Sequence, residues 1–224
     1  AMQIYVAAAA KQFKVSGIVF TASRKNRSAA TEYAYAMGAD VREVKPGYLS
    51  VCRARAREYG KAAGRVVRWD VAGAIADAAE QCGNLPDGIR RVVVPTGSGL
   101  TCAGILIGLA KQGKRIPVLA VTVSDLATAE GIDETVKKFS AAETEKPQAV
   151  RAKGKYGEWY VGVLPDGDAL DPYYAAKALP FIRVGDCLWV PGMRPAGAIP
   201  AKCLREIERL KGVTLADSND ARRN

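Results

Sequence analysis

A chain of 224 residues, 49% apolar and 25% charged with a formal charge of +10, has the composition of a globular protein that can bury one large core or two small ones. The absence of histidine removes the commonest zinc ligand and every Ser-His-Asp or Cys-His arrangement, so proton transfer falls to Lys, Tyr, Asp, Glu, Ser, Thr or a cofactor. Cys52, Cys82, Cys102, Cys187 and Cys203 lack Cys-x-x-Cys spacing and predict reduced thiols with no metal site, while the lack of a long apolar run or a signal-peptide layout predicts a cytoplasmic protein with no membrane partner.

In chain order, Ile4 to Phe13 reads as a helix and Gly17 to Thr21 as a strand. A polar loop, Ala22 to Arg27, leads into a helix over Ser28 to Met37 closed at Gly38, and Asp40 to Val44 follows as a strand. That succession has the spacing of a βαβ unit. Leu49 to Gly64 reads as helical, Arg65 to Trp69 as a short strand and Val71 to Cys82 as an alanine-rich helix. Arg53, Arg55, Arg57, Lys61, Arg65 and Arg68 include helical spacings, making either a solvated face or one that attracts a polyanion such as nucleic acid. No helix-turn-helix, zinc-finger or RNA-recognition signature accompanies them.

The stretch Arg90 to Leu109 carries the strongest signal, because a buried strand ends in Pro95-Thr96-Gly97-Ser98-Gly99-Leu100-Thr101 and opens directly into an apolar helix. Such a turn directs backbone N–H groups and the Ser98 and Thr101 hydroxyls at one spot, where the helix start adds partial positive charge. A phosphate fits there; the alternative is a plain tight strand-to-helix connection. The spacing matches neither Gly-x-x-x-x-Gly-Lys-Ser/Thr nor Gly-x-Gly-x-x-Gly, and Val94-Pro95 stand where a phosphoribosyltransferase loop has paired acids.

Pro117 to Val123 reads as another buried strand, Asp125 to Ser140 as a helix and Ala141 to Lys155 as a polar connection. A strand at Trp159 to Val163, a turn at Leu164 to Gly167, a helix at Tyr173 to Phe181, a strand at Cys187 to Val190 and a short helix at Ala201 to Leu210 complete the pattern. The alternation predicts an α/β protein with mainly parallel open sheets and helices on both faces, its ligand at the carboxyl ends of the strands. The expected domains are a small βαβ subdomain over 1–70, a larger α/β subdomain with the loop over 71–212, and a flexible basic tail over 213–224.

Three segments in this order resemble the tryptophan-synthase-β-type (fold type II) pyridoxal-phosphate enzymes, in particular their 1-aminocyclopropane-1-carboxylate deaminase and D-cysteine desulfhydrase branch. They are Gly17 to Ala39 with its Ser23-Arg24-Lys25-Asn26 loop, Thr96 to Gly104, and Leu170 to Ala178 followed by Leu188 to Gly192. The resemblance implies a lyase or deaminase acting on a small amino acid or amino-acid-like group, with pyridoxal phosphate as cofactor and a homodimeric assembly. It places Asn26 beside the cofactor ring and Thr96, Gly97, Ser98, Gly99, Leu100 and Thr101 around its phosphate. Tyr174 becomes a hydroxyl near the ring or a packing residue, and Asp171 a helix cap.

The chain departs from the family at three points. Lys25 replaces a serine and Leu100 a glycine, and the family's Schiff-base lysine belongs to a segment ahead of the first helix, for which no counterpart is named in this sequence. Lys25 is therefore the candidate catalytic lysine, its alternative being a solvent- or phosphate-contacting role. A second expectation is a divergent relative that keeps the anion loop and binds a nucleotide or nucleic acid, with DNA-base modification as one such role. A third is a structural subunit that pairs with a complete homologue.

Overall fold

The computed structural model describes residues 2–45, 49–64, 71–125, 127–155, 157–164, 166–192 and 194–220. The strand expected over 65–69 lies outside them. The chain divides into two compact units, one of residues 1–69 with 194–204 and the other of residues 70–193 with 205–224. Residues 221–224, part of the expected tail, also lie outside the described residues.

The first unit begins with helix α1 (Met2–Gln12), strand β1 (Ile18–Ala22), helix α2 (Ala29–Ala36), strand β2 (Asp40–Val44) and helix α3 (Leu49–Ala62). Ser28 starts α2 because its side-chain oxygen accepts the Thr31 N–H at 3.2 Å, satisfying one of the donors that a helix start leaves open. β1 and β2 pair in parallel from Ile18 opposite Asp40 to Ala22 opposite Val44, as a right-handed strand-helix-strand connection permits. Ala7, Val19, Ala34 and Ala39 form a core of small side chains, so α1 and α2 approach closely. Ile4, Ala30 and Ala198 make a second cluster there.

The second unit contains helix α4 (Val71–Gln81), strand β3 (Arg91–Thr96), helix α5 (Leu100–Lys111), strand β4 (Val118–Thr122), helix α6 (Ala129–Phe139), strand β5 (Gln148–Arg151) and strand β6 (Asp186–Leu188). Its four strands are parallel in the order β5-β4-β3-β6. Period-two alternation sends Val92, Val94, Val118 and Ala120 to the face covered by α4, α5 and α6. Val93, Leu119 and Val121 take the other face, against Ala178 and Phe181 of a 3-10 helix over Ala175–Phe181. Each fully buried valine contributes roughly 1.5–3 kcal/mol by leaving water. α4 and α5 cross closely at Gly104 and Gly108, where an added Cβ would stand 2.6 Å from the Ala78 Cβ and 2.7 Å from the Ala79 Cα, respectively.

Four elements differ from the sequence reading. β5 lies inside the expected connection 141–155, because an edge strand with one partner and exposed Gln148 and Ala149 leaves little hydrophobic signal. Residues 159–163 form no strand, only a bridge from Val163 to Ala169 across the expected turn. The expected helix at 173–181 is a 3-10 helix from Ala175, consistent with Pro180, which has no N–H to give an α-turn. Helix α7 (Ala201–Asp220) runs through residues 213–220 of the expected tail, with no proline to stop it and Glu206–Arg209 and Glu208–Lys211 pairs one turn apart. Among the described residues no helix is long and apolar enough to cross a membrane.

The short strand β6 is pinned to β3 by charge. Arg91 Nη2 donates to Asp186 Oδ2 at 2.5 Å and Nε to Oδ1 at 3.2 Å, while the Arg183 N–H also donates to Oδ2. The Arg91 hydrogen bond holds the Asp186 carboxyl below its ordinary value against the opposing effect of burial. Because the folded-state value is depressed, this contribution is complete above the ordinary aspartate pKa of about 3.9 and is lost as the pH falls through the lower folded value. Asp186→Asn should therefore lower stability by about 2 kcal/mol at pH 7, with the difference from the parent shrinking toward zero in strong acid. Urea unfolding at a series of pH values measures it.

Candidate phosphate-binding site

The turn from β3 to α5 is built by three constraints. Gly99 has φ +85°, a left-handed conformation that carries a cost for residues with a Cβ, and a Cβ there would meet Ile132 Cγ1 of α6 at 2.8 Å. Thr96, buried at the end of β3, accepts the Gly99 N–H on its Oγ1 at 3.0 Å. Ser124, just beyond β4, donates its hydroxyl to the Gly97 carbonyl at 2.8 Å.

These contacts consume one amide and leave others without an acceptor among the described residues. Ser98 is exposed, Gly97, Leu100 and Thr101 are half-buried, and the N–H groups of Ser98, Leu100 and Thr101 have no acceptor among the described residues. α5 is a twelve-residue helix with no acidic residue in its first turn, so its positive end is not neutralised locally. The arrangement can hold a phosphate dianion with several charge-assisted N–H bonds and the Ser98 and Thr101 hydroxyls. Thr96 and Gly99 shape this cradle, since the Thr96 oxygen and the Gly99 amide are engaged with each other. Leu100 packs its side chain against the core beneath α5, so a leucine at that position leaves the backbone donor available.

Tyr174 belongs to the same place. Its ring packs with Val93, Leu119 and Val121, and its hydroxyl rests against Gly97 so closely that a Cβ on Gly97 would fall on the oxygen and 3.1 Å from Cζ. Asp171 Oδ1 accepts the Tyr173 N–H at 2.8 Å, and its carbonyl accepts the Tyr174 and Ala176 N–H groups, so this aspartate caps the segment that carries the tyrosine. Lys25 and Asn26 belong to the first unit, exposed in the loop after β1. Cys102, three residues into α5, is fully buried and its thiol is pushed up to about 12, which leaves no thiolate for nucleophilic chemistry.

Ser124 carries no role in the sequence reading, although it follows the strand next to β3 in a parallel sheet and so falls at the carboxyl edge where the loop begins. That topological position is the signal available for it.

No protein-family model matches the chain, and no curated protein does. The fold is that of an ACC deaminase homologue, whose crystal structure aligns with 89% of this chain and 72% of its own at a TM-score of 0.67 and 18% identity. The processed form of threonine deaminase isoform 2 from Solanum lycopersicum aligns with 95% of this chain and 68% of its own at a TM-score of 0.55 and 14% identity. These likenesses define the class as an open parallel α/β protein of the fold-type-II architecture.

Removing the glycine at either constrained position tests the loop. Gly99→Ala should cost about 1–2 kcal/mol from backbone strain alone. Gly97→Ala, with no positive φ to disturb, should act by displacing the Tyr174 ring, seen as a changed tyrosine environment in near-ultraviolet circular dichroism.

Proposed function

We propose that this chain binds pyridoxal phosphate by its phosphate at the 97–101 turn and acts as a lyase or deaminase on a small amino acid or amino-acid-like group. The observation that carries the reading is the set of unengaged donors at the start of α5, with the Tyr174 hydroxyl against the same turn. The shared fold with an ACC deaminase homologue and a threonine deaminase supports it, as does the ordered resemblance of the three sequence segments.

When bound, pyridoxal phosphate supplies an aldehyde that condenses with an amine and a ring that draws electrons from the α-carbon. The chain's own residues bind and orient. The Ser98, Leu100 and Thr101 amides fix the phosphate, and the Ser98 and Thr101 hydroxyls add donors. Tyr174, whose hydroxyl lies against Gly97 and whose ring packs in the apolar cluster, is the candidate to hold or move a proton at its hydroxyl oxygen.

Equilibrium dialysis against pyridoxal phosphate and against pyridoxal separates phosphate capture from reaction with surface lysines. The intact chain should retain the phosphate ester at least about tenfold more tightly, and Ser98→Asp should remove that preference by placing a carboxylate in the cradle. Leu100→Gly should keep it. Formation of a 2-oxo acid from small amino acids should fall roughly 100-fold in Tyr174→Phe without loss of the phosphate preference. Equal retention of the two compounds by the intact chain would reject the reading.

A further inference from the structure

The net charge is not spread along the chain. Residues 1–69 with 194–204 carry fifteen lysines and arginines against four carboxylates, while the remaining residues carry eighteen against nineteen. All the excess positive charge belongs to the first unit, and its carboxylates are already engaged. Glu43 and Glu32 pair with Arg27, Asp40 with Arg42, and Glu58 with Arg55. Arg24, Lys25, Lys45, Arg57 and Lys61 are exposed and have no carboxylate partner among the described residues.

Arg53, Arg57 and Lys61 follow one another at four-residue intervals along α3, so they form one exposed stripe with successive positions about 6 Å apart along the axis. The opposite side of the helix is occupied, with Cys52 and Gly60 buried and Ala56 and Tyr59 half-buried. Arg24, Lys25 and Lys45 stand at the carboxyl ends of the parallel strands β1 and β2.

We propose that this basic face of the first unit binds the phosphate backbone of duplex DNA without reading its sequence. The chemistry matches because a row of exposed cations gains most from a partner with closely spaced, fixed negative charges, whose condensed counterions are released on contact. A single-stranded partner is less suited, since the aromatic platform of this face is covered: the Arg42 guanidinium lies 4.0 Å from the Tyr59 ring centroid and 6.0 Å from that of Phe20. A membrane surface is less suited as well, because the apolar side of α3 faces the core and Val51, 38% exposed, is its one exposed large hydrophobic residue among those described.

The inference stands apart from the cofactor reading and survives its failure. Fluorescence anisotropy of a labelled duplex of arbitrary sequence, titrated with the full chain at 50 and 200 mM salt, tests it. Three to five phosphate contacts predict a slope of log K against log salt of about −2.7 to −4.5, which is a roughly 40- to 500-fold weakening over that range. Arg57→Glu with Lys61→Glu should weaken binding at least about tenfold at 50 mM salt, and the gentler Arg57→Gln with Lys61→Gln should reduce the slope by about 2. The control, Lys137→Glu with Lys138→Glu on α6, changes the net charge equally and should leave binding within about threefold. No duplex binding at 50 mM salt, equal loss in the α3 and α6 variants, tighter binding to single strands, or capture by phosphatidylserine vesicles in place of DNA would each overturn the proposal.

Discussion

The left-handed conformation at Gly99 is the constraint on which the candidate site depends. It turns the chain from β3 into α5 within three residues, and it does so under Ile132, which leaves no volume for a side chain. With the Gly99 N–H drawn to Thr96 Oγ1, the following amides are left at the open end of a twelve-residue helix. A less constrained loop would let those amides turn toward nearby carbonyls, and the anion cradle would disappear without any change of residue type.

The same economy governs the electrostatics. In the second unit positive and negative side chains nearly balance, and the first turn of α5 contains no charge, so a bound anion there is favoured by backbone dipoles and not by lysine or arginine. In the first unit the attraction is carried by side chains on a helix surface and at strand ends. The two modes respond differently to salt. Fixed dipoles acting at contact distance are weakly screened, whereas exposed guanidinium and ammonium groups act across a Debye length of roughly 8–10 Å at physiological ionic strength.

Those parts of the fold where a local signal coincides with tertiary demand were legible in the residues. β2 matches its expected range because Asp40 to Val44 is bounded by the Gly38 stop and pairs fully with β1, and the apolar run at Val92 to Val94 can only be a strand buried on both faces. Gln148 to Arg151 was not legible, since an edge strand is held by backbone hydrogen bonds to β4 and asks little of its side chains. Trp159 to Val163 misled for the converse reason. Its apolar residues serve irregular packing, with Gly162 pressed so closely on Leu179 that a Cβ there would stand 2.4 Å from the leucine Cδ1. Of the site, the glycine turn was visible as a motif, whereas the support from Ser124 and the contact of Tyr174 with Gly97 are tertiary facts that no spacing along the chain encodes.

The segment that carries Tyr174 also holds a buried lysine, whose N–H donates to the Tyr174 carbonyl at 3.1 Å. Lys177, 2% exposed and one short turn after Tyr174, donates from Nζ to the Lys155 carbonyl at 2.8 Å and lies 5.8 Å from the centre of the Tyr160 ring. Burial lowers its pKa, and the neighbouring Glu158 charge works in the opposite direction. A long cationic side chain placed inside the protein at that cost ties the Lys155 carbonyl to the element that carries the tyrosine, while Tyr160 N–H donates to the Pro172 carbonyl. The ring of Tyr174 packs against the apolar cluster that contains Val93, Leu119 and Val121. A hydroxyl held against Gly97 stays at the turn that precedes α5, so its place depends on the packing of the ring and not on the hydroxyl alone.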